Sequence, residues 1–279
     1  MIENERKEKL KLLKILLYLL CVASMIFIMI NFYKLMPDSR FELVAESAVI
    51  TVVTLFFLYL ISGKKTFRSF FNETGYVIKT LWPVLAFPLI FMVMGIISLA
   101  ADKLPVKQDW QMTLILDFLC MMLAGVYEEG CFRCCACDAM LPVLKKSRHP
   151  FLWTSLIAGL IFGWVHVITV DFSDFQQLMQ FILKITNLAL ASASYMFVYW
   201  KTRNLFGMAL IHGFNDFLPT FLDDIFAFEG MDQTEGYISG NSDTTVIYLI
   251  QFCFELAVFI YVYRKVWKRI DRQKVLEEW

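Results

Sequence analysis

The sequence predicts an all-α, polytopic membrane protein, and three observations carry that prediction. Of its 279 residues 58% are hydrophobic and 16% aromatic, with a mean hydropathy of +0.59; an ordinary soluble domain has an apolar share nearer half even with glycine included. Apolar runs recur at the length a bilayer demands, roughly 20 residues at about 1.5 Å of rise each. These runs lack two-residue alternation, so in lipid they satisfy their backbone hydrogen bonds as helices rather than as barrel strands.

About eight transmembrane helices are expected, near residues 15–33, 43–62, 80–101, 111–139, 151–170, 176–200, 204–222 and 245–263. The first follows "MIENERKEKLKLLK"; it is too long for a signal peptide and no small-residue cleavage site follows, so it is expected to stay as an anchor. Pro83, Pro88 and Pro219 are candidate local helix breaks. With no long Pro/Gly/Ser linker, low-complexity tract or internal repeat, residues 1–279 read as one integral-membrane domain.

Lysine and arginine set the orientation. Twenty flank one side of an eight-span arrangement, whereas the other side holds Lys34, Arg40, Lys103 and Lys107 and an acidic connection from Leu222 to Thr244. Both termini are therefore expected in the cytoplasm. Membrane lipid is an expected partner of the basic side, and a formal net charge of zero calls for no nucleic acid.

The run "CFRCCAC" places Cys131, Cys134, Cys135 and Cys137 together. No second CxxC pair accompanies them at metal-ligand spacing, so they read as small residues packed closely between helices.

Charges at bilayer depth are rare and usually face the bundle interior. Here they are Glu46, Asp117, Glu128, Glu129, Arg133, His166, Lys184, His212, Asp216 and Glu255. Lys184 is expected to form a structural ion pair with Glu255 or Asp117. A second group gathers on the fourth, fifth and seventh spans. Glu129 and Arg133 are four apart and share a helical face as an ion pair. The adjacent Glu128 points about 100° away and is left free. Phe162 and His166, and His212 and Asp216, repeat the four-residue spacing. His166 sits a turn or two too high, a difference that helix tilt or a later start of its span would absorb. His149 reads as solvated surface.

One free glutamate, two histidines and an aspartate suit peptide hydrolysis: a carboxylate base withdraws a proton from water, while imidazole and carboxylate hold a metal or stabilise an oxyanion. "EEGCFR", "FGWVH" and "HGFND" occur in that order, and in them the chain resembles the CPBP family of CAAX-prenyl endopeptidases and bacteriocin-processing (Abi) enzymes, whose motifs are EExxxR, FxxxH and HxxxN/D. The resemblance covers about residues 110–220, which would be the catalytic core. It implies that Glu128 activates water, that His166 and His212 line the centre, that Asp216 holds the family's Asn/Asp position and that Glu129 and Arg133 buttress the site, with Phe162 beside His166. Asn215 neighbours the aligned position and is the fallback. Cys134 stands where many relatives have glycine. Zinc held by His166, His212 and Asp216 and a metal-free arrangement are both open, the metal being slightly favoured. The implied substrate is a membrane-associated or prenylated peptide or protein. The rival readings are an inactive immunity or scaffold protein and an ion-coupled transporter.

Overall fold

The computed structural model describes residues 2–36, 41–102, 104–167, 170–227 and 238–279. Arg40, Lys103 and residues 228–237 of the acidic connection lie outside the described residues. All of the extended secondary structure described is helical: α1 (Ile2–Asn31), α2 (Glu42–Ser62), α3 (Lys64–Arg68), α4 (Thr74–Leu81), α5 (Ala86–Asp102), α6 (Trp110–Glu129), α7 (Ala136–Leu144), α8 (Pro150–Val165), α9 (Phe175–Thr202), α10 (Leu205–Ile225), α11 (Ser242–Lys265) and α12 (Arg272–Glu278). A β-bridge between Val106 and Phe226 joins the loop before α6 to the end of α10.

Among the described residues, six helical stretches are long and apolar enough to cross a membrane: Glu5–Lys34, Glu42–Ser62, Thr74–Leu99, Trp110–Leu144, Phe175–Thr202 and Ser242–Arg269. The other two expected spans differ in kind. Pro150–Val165 is apolar but shorter, and Leu205–Ile225 is long but carries His212, Asn215, Asp216, Asp223 and Asp224.

Local chemistry explains several boundaries. α1 begins well before the apolar run because its charged turns pair along the helix, Lys7 with Glu3 at 3.0 Å and Lys9 with Glu5 at 2.7 Å. A 3₁₀ turn over Trp82–Leu85, with Pro83 near its start, separates α4 from α5. Pro219 lies inside α10 without ending it. Asp174, Asn204 and Asn241 cap α9, α10 and α11, each side chain accepting backbone N–H groups of the first turn.

Between α6 and α7 the chain runs as a π-helix over Gly130–Cys135. Such a turn carries one extra residue and recurs at functional positions. All six of its residues are buried, and Cys21 of α1 approaches Cys131 to 3.6 Å. The cysteine run thus packs as expected. Lys184 places its ammonium 5.5 Å from the Tyr248 ring, and Asp117 accepts from Thr220 Oγ1 at 2.7 Å.

Two contacts position the centre. α6 packs extensively on α10, and glycines make the approach possible. A Cβ added at Gly125 would lie 2.9 Å from Gly213 N and closer still to the Ala209 carbonyl; one added at Gly213 would lie 2.8 Å from the Met121 carbonyl. On the α8–α9 side, a Cβ at Gly159 would meet Ala189 Cα at 3.0 Å. Small residues that let backbones close up drive helix association in lipid, where apolar surface gains nothing from leaving water.

Candidate active site

Close contact between α6 and α10 sets Glu128 and Glu129, the last residues of α6, against His212 in the middle of α10. His212 Nδ1 lies 2.6 Å from Glu129 Oε1, and Nε2 lies 3.3 Å from Glu128 Oε2 and 3.1 Å from Asp216 Oδ2. Three carboxylates therefore surround one buried imidazole. A carboxylate oxygen accepts, so Nδ1 donates its hydrogen to Glu129. Nε2, Glu128 and Asp216 would otherwise be three acceptors facing one another, and a proton between them resolves that contact.

Glu128, expected to be free, instead meets His212 Nε2. Adjacent helical residues do leave the axis at different angles, but the His212 ring stands between the two side chains and offers one nitrogen to each. Glu129 also meets Arg133, with Oε2 3.4 Å from Nε. Glu129 and Arg133 are 0% and 1% exposed, and Arg133 Nε and one terminal nitrogen have no hydrogen-bond partner. The guanidinium instead lies 4.0 Å from the Phe162 ring centroid and 5.7 Å from that of Tyr195, an electrostatic contact with the ring faces.

His166 arrives by a different device. α8 ends at Val165, short of the expected 170, and His166 caps it. The His166 N–H bonds the Gly163 carbonyl at 3.2 Å, while its Nδ1 reaches back to the Phe162 carbonyl at 2.8 Å. A carbonyl accepts, so Nδ1 carries the hydrogen and Nε2 is the acceptor in the neutral ring. Nε2 lies 3.9 Å from Glu128 Oε1. That is beyond a direct hydrogen bond, and polar contacts at such separations invite a bridging water. The span begins at Pro150, so a later start does not bring His166 to the level of Glu128.

Phe162 lies edge-on to His166 with ring centroids 4.5 Å apart, and Phe132 packs on Phe162 at 4.9 Å. Asn215 donates to Asp216 Oδ1 at 3.1 Å, so it orients the aspartate from beside the aligned position. All of Glu128, Glu129, Arg133, Phe162, His166, His212, Asn215 and Asp216 are thus joined in one connected group.

Tyr195, 3% exposed, packs beside His212 with centroids 6.0 Å apart and was not among the expected residues. The one sequence signal for it is the small-residue run of "ALASASY", which brings α9 close to its neighbours. The π-helix left no recognisable signal.

Among the described residues no group of three or more His, Cys, Asp or Glu side chains is placed to hold a metal ion. His212 Nε2 and Asp216 Oδ2 lie 3.1 Å apart, within reach of a hydrogen bond.

The helical chain thus turns two imidazoles and three carboxylates onto one point. Residues 108–218 match the family model described as type II CAAX prenyl endopeptidase, Rce1-like, which places that stretch in the family and bears out the resemblance carried by the three motifs. Comparison with curated proteins and with solved structures gives no match.

Proposed function

We propose that the chain hydrolyses a peptide bond of a membrane-associated or prenylated, CAAX-type peptide or protein, with Glu128 as general base. The observation that carries this reading is the position of Glu128, whose carboxylate faces Nε2 of His166 at 3.9 Å and Nε2 of His212 at 3.3 Å. The reacting water sits between Glu128 and His166, held by the carboxylate and by the His166 nitrogen that carries no hydrogen. Glu128 takes its proton as the water oxygen adds to the scissile carbonyl carbon. The charge moves to the carbonyl oxygen, towards which His212 directs the proton at Nε2. Glu128 then returns its proton to the departing amine as the C–N bond breaks.

Glu129 and Asp216 are positioning residues in this scheme. Glu129 fixes the hydrogen of His212 on Nδ1, and Asp216 keeps Nε2 on the side facing Glu128. Arg133 balances the charge of Glu129 and rests on Phe162. No step passes through a metal.

Both termini are proposed to face the cytoplasm, in keeping with the bias of basic residues to one side. The substrate then enters from that side or laterally from lipid.

Comparing the membrane proteome of cells carrying the wild-type chain with that of cells carrying Glu128→Ala tests the proposal. Peptides that fail to mature in the variant are the substrates. A biological effect that survives the substitution would identify a scaffold, and solute uptake into proteoliposomes a transporter. Only Pro83 of the three expected proline breaks interrupts a helix, so the paired broken helices wanted by a transporter find no support.

A further inference from the structure

The membrane end opposite the start of α6 gathers segments distant in sequence. Lys65 Nζ donates to the Glu278 carbonyl at 3.3 Å, and Lys145 Nζ donates to the Leu276 carbonyl. The first turns of α1, the end of α7 and the C-terminal α12 therefore meet there. Between them lies a cavity of about 570 Å³ lined by Lys7, Lys11, Lys14 and Lys146, with Glu8 as the one acidic side chain.

We propose that this cavity binds the phosphate of an anionic phospholipid headgroup. Its charge is unbalanced: four lysines face one glutamate. Lys7 and Lys11 pair with Glu3 and Glu8 along the helix, exposed contacts worth little in water. Lys14 and Lys146 make no ion pair among the described residues. The remaining wall is apolar, from Leu10, Pro142 and Trp279, and α1 continues from it into the membrane with Leu12, Leu13 and Leu16 about half exposed. An amphiphile fits both halves: the headgroup lies among ammonium groups while its chains run along α1. A phosphate diester carries one negative charge, and each lysine at the surface contributes about five-fold to its retention.

Such a lipid would link α1 to Pro142 and Lys146, at and just beyond the end of α7, the helix that follows the π-turn from the Glu128–Glu129 pair. This inference does not depend on the protease reading, and its test needs no substrate.

The full chain is reconstituted in phosphatidylcholine vesicles with and without phosphatidylglycerol, re-extracted, and its retained lipid identified by native mass spectrometry. Phosphatidylglycerol is expected to stay bound in preference to phosphatidylcholine. The pair Lys14→Gln with Lys146→Gln should lower that retention roughly ten-fold or more, while Lys14→Arg with Lys146→Arg keeps it and shows that the fold tolerates change at both sites. A control pair on the C-terminal segment, Lys268→Gln with Arg269→Gln, should leave retention unchanged. Equal retention of the two lipids, or equal loss in the control pair, would overturn the proposal in favour of diffuse surface attraction. Displacement by inorganic phosphate at constant ionic strength would overturn it in favour of a free anion.

Discussion

His212 Nδ1 stands 2.6 Å from Glu129 Oε1, so the glutamate that shares a helical face with Arg133 also fixes the orientation and hydrogen of the imidazole facing Glu128. One residue thus belongs to a buried ion pair and to the candidate catalytic group. Removing Glu129 should therefore damage both. In Glu129→Ala the Arg133 charge is left buried without a partner, a change that costs about 3–5 kcal/mol; thermal unfolding in detergent should show it. Adding Arg133→Met to that variant should recover much of the stability, since the stranded charge is gone, but not the activity.

Glu128→Gln preserves shape and removes the base. Cleavage of a reporter peptide by the purified variant should fall by about 10²–10⁴-fold with unfolding unchanged. A variant that retained wild-type turnover would remove Glu128 from the role given to it.

Asp216 and Asn215 separate by their contacts. Asp216 touches His212 Nε2, whereas Asn215 touches only Asp216. Asp216→Ala should lower kcat by about 10²-fold or more, and Asn215→Ala by clearly less. The reverse order would assign the motif's last position to Asn215.

Stripping metal offers a further test. In the metal-free scheme proposed here, activity should survive chelation and passage into metal-free buffer, with metal content measured on the same sample. Loss of activity restored by zinc would require His166, His212 and Asp216 to rearrange into a ligand set.

Gly125→Ala probes the helix contact that presents the site. The added methyl would meet the Ala209 carbonyl and Gly213 N, neither of which can rotate away. Overpacking of this kind costs about 1–3 kcal/mol. Since α6 must move from α10 to admit the methyl, Glu128 also retreats from His212, and activity should fall further than stability alone accounts for. Gly75→Ala, where nothing lies within 4 Å of the added methyl, is the control.

Composition and hydropathy are properties of the chain as written, and they sufficed for the fold class. Lipid leaves a long apolar segment few options besides a helix, so the positions of the helices follow from where the apolar runs lie. Four-residue spacing likewise put Glu129 with Arg133 and His212 with Asp216, because each pair lies along one continuous helical stretch. What stayed out of reach were contacts between helices. Nothing near Glu129 in the sequence announces His212, eighty-three positions away, nor that one ring would separate two adjacent glutamates. The approach of α6 to α10 and of α8 to α9 depends on how closely Gly125, Gly213 and Gly159 let neighbouring backbones come. That distance is set by the packing of whole helices against one another, and only the tertiary structure decides it.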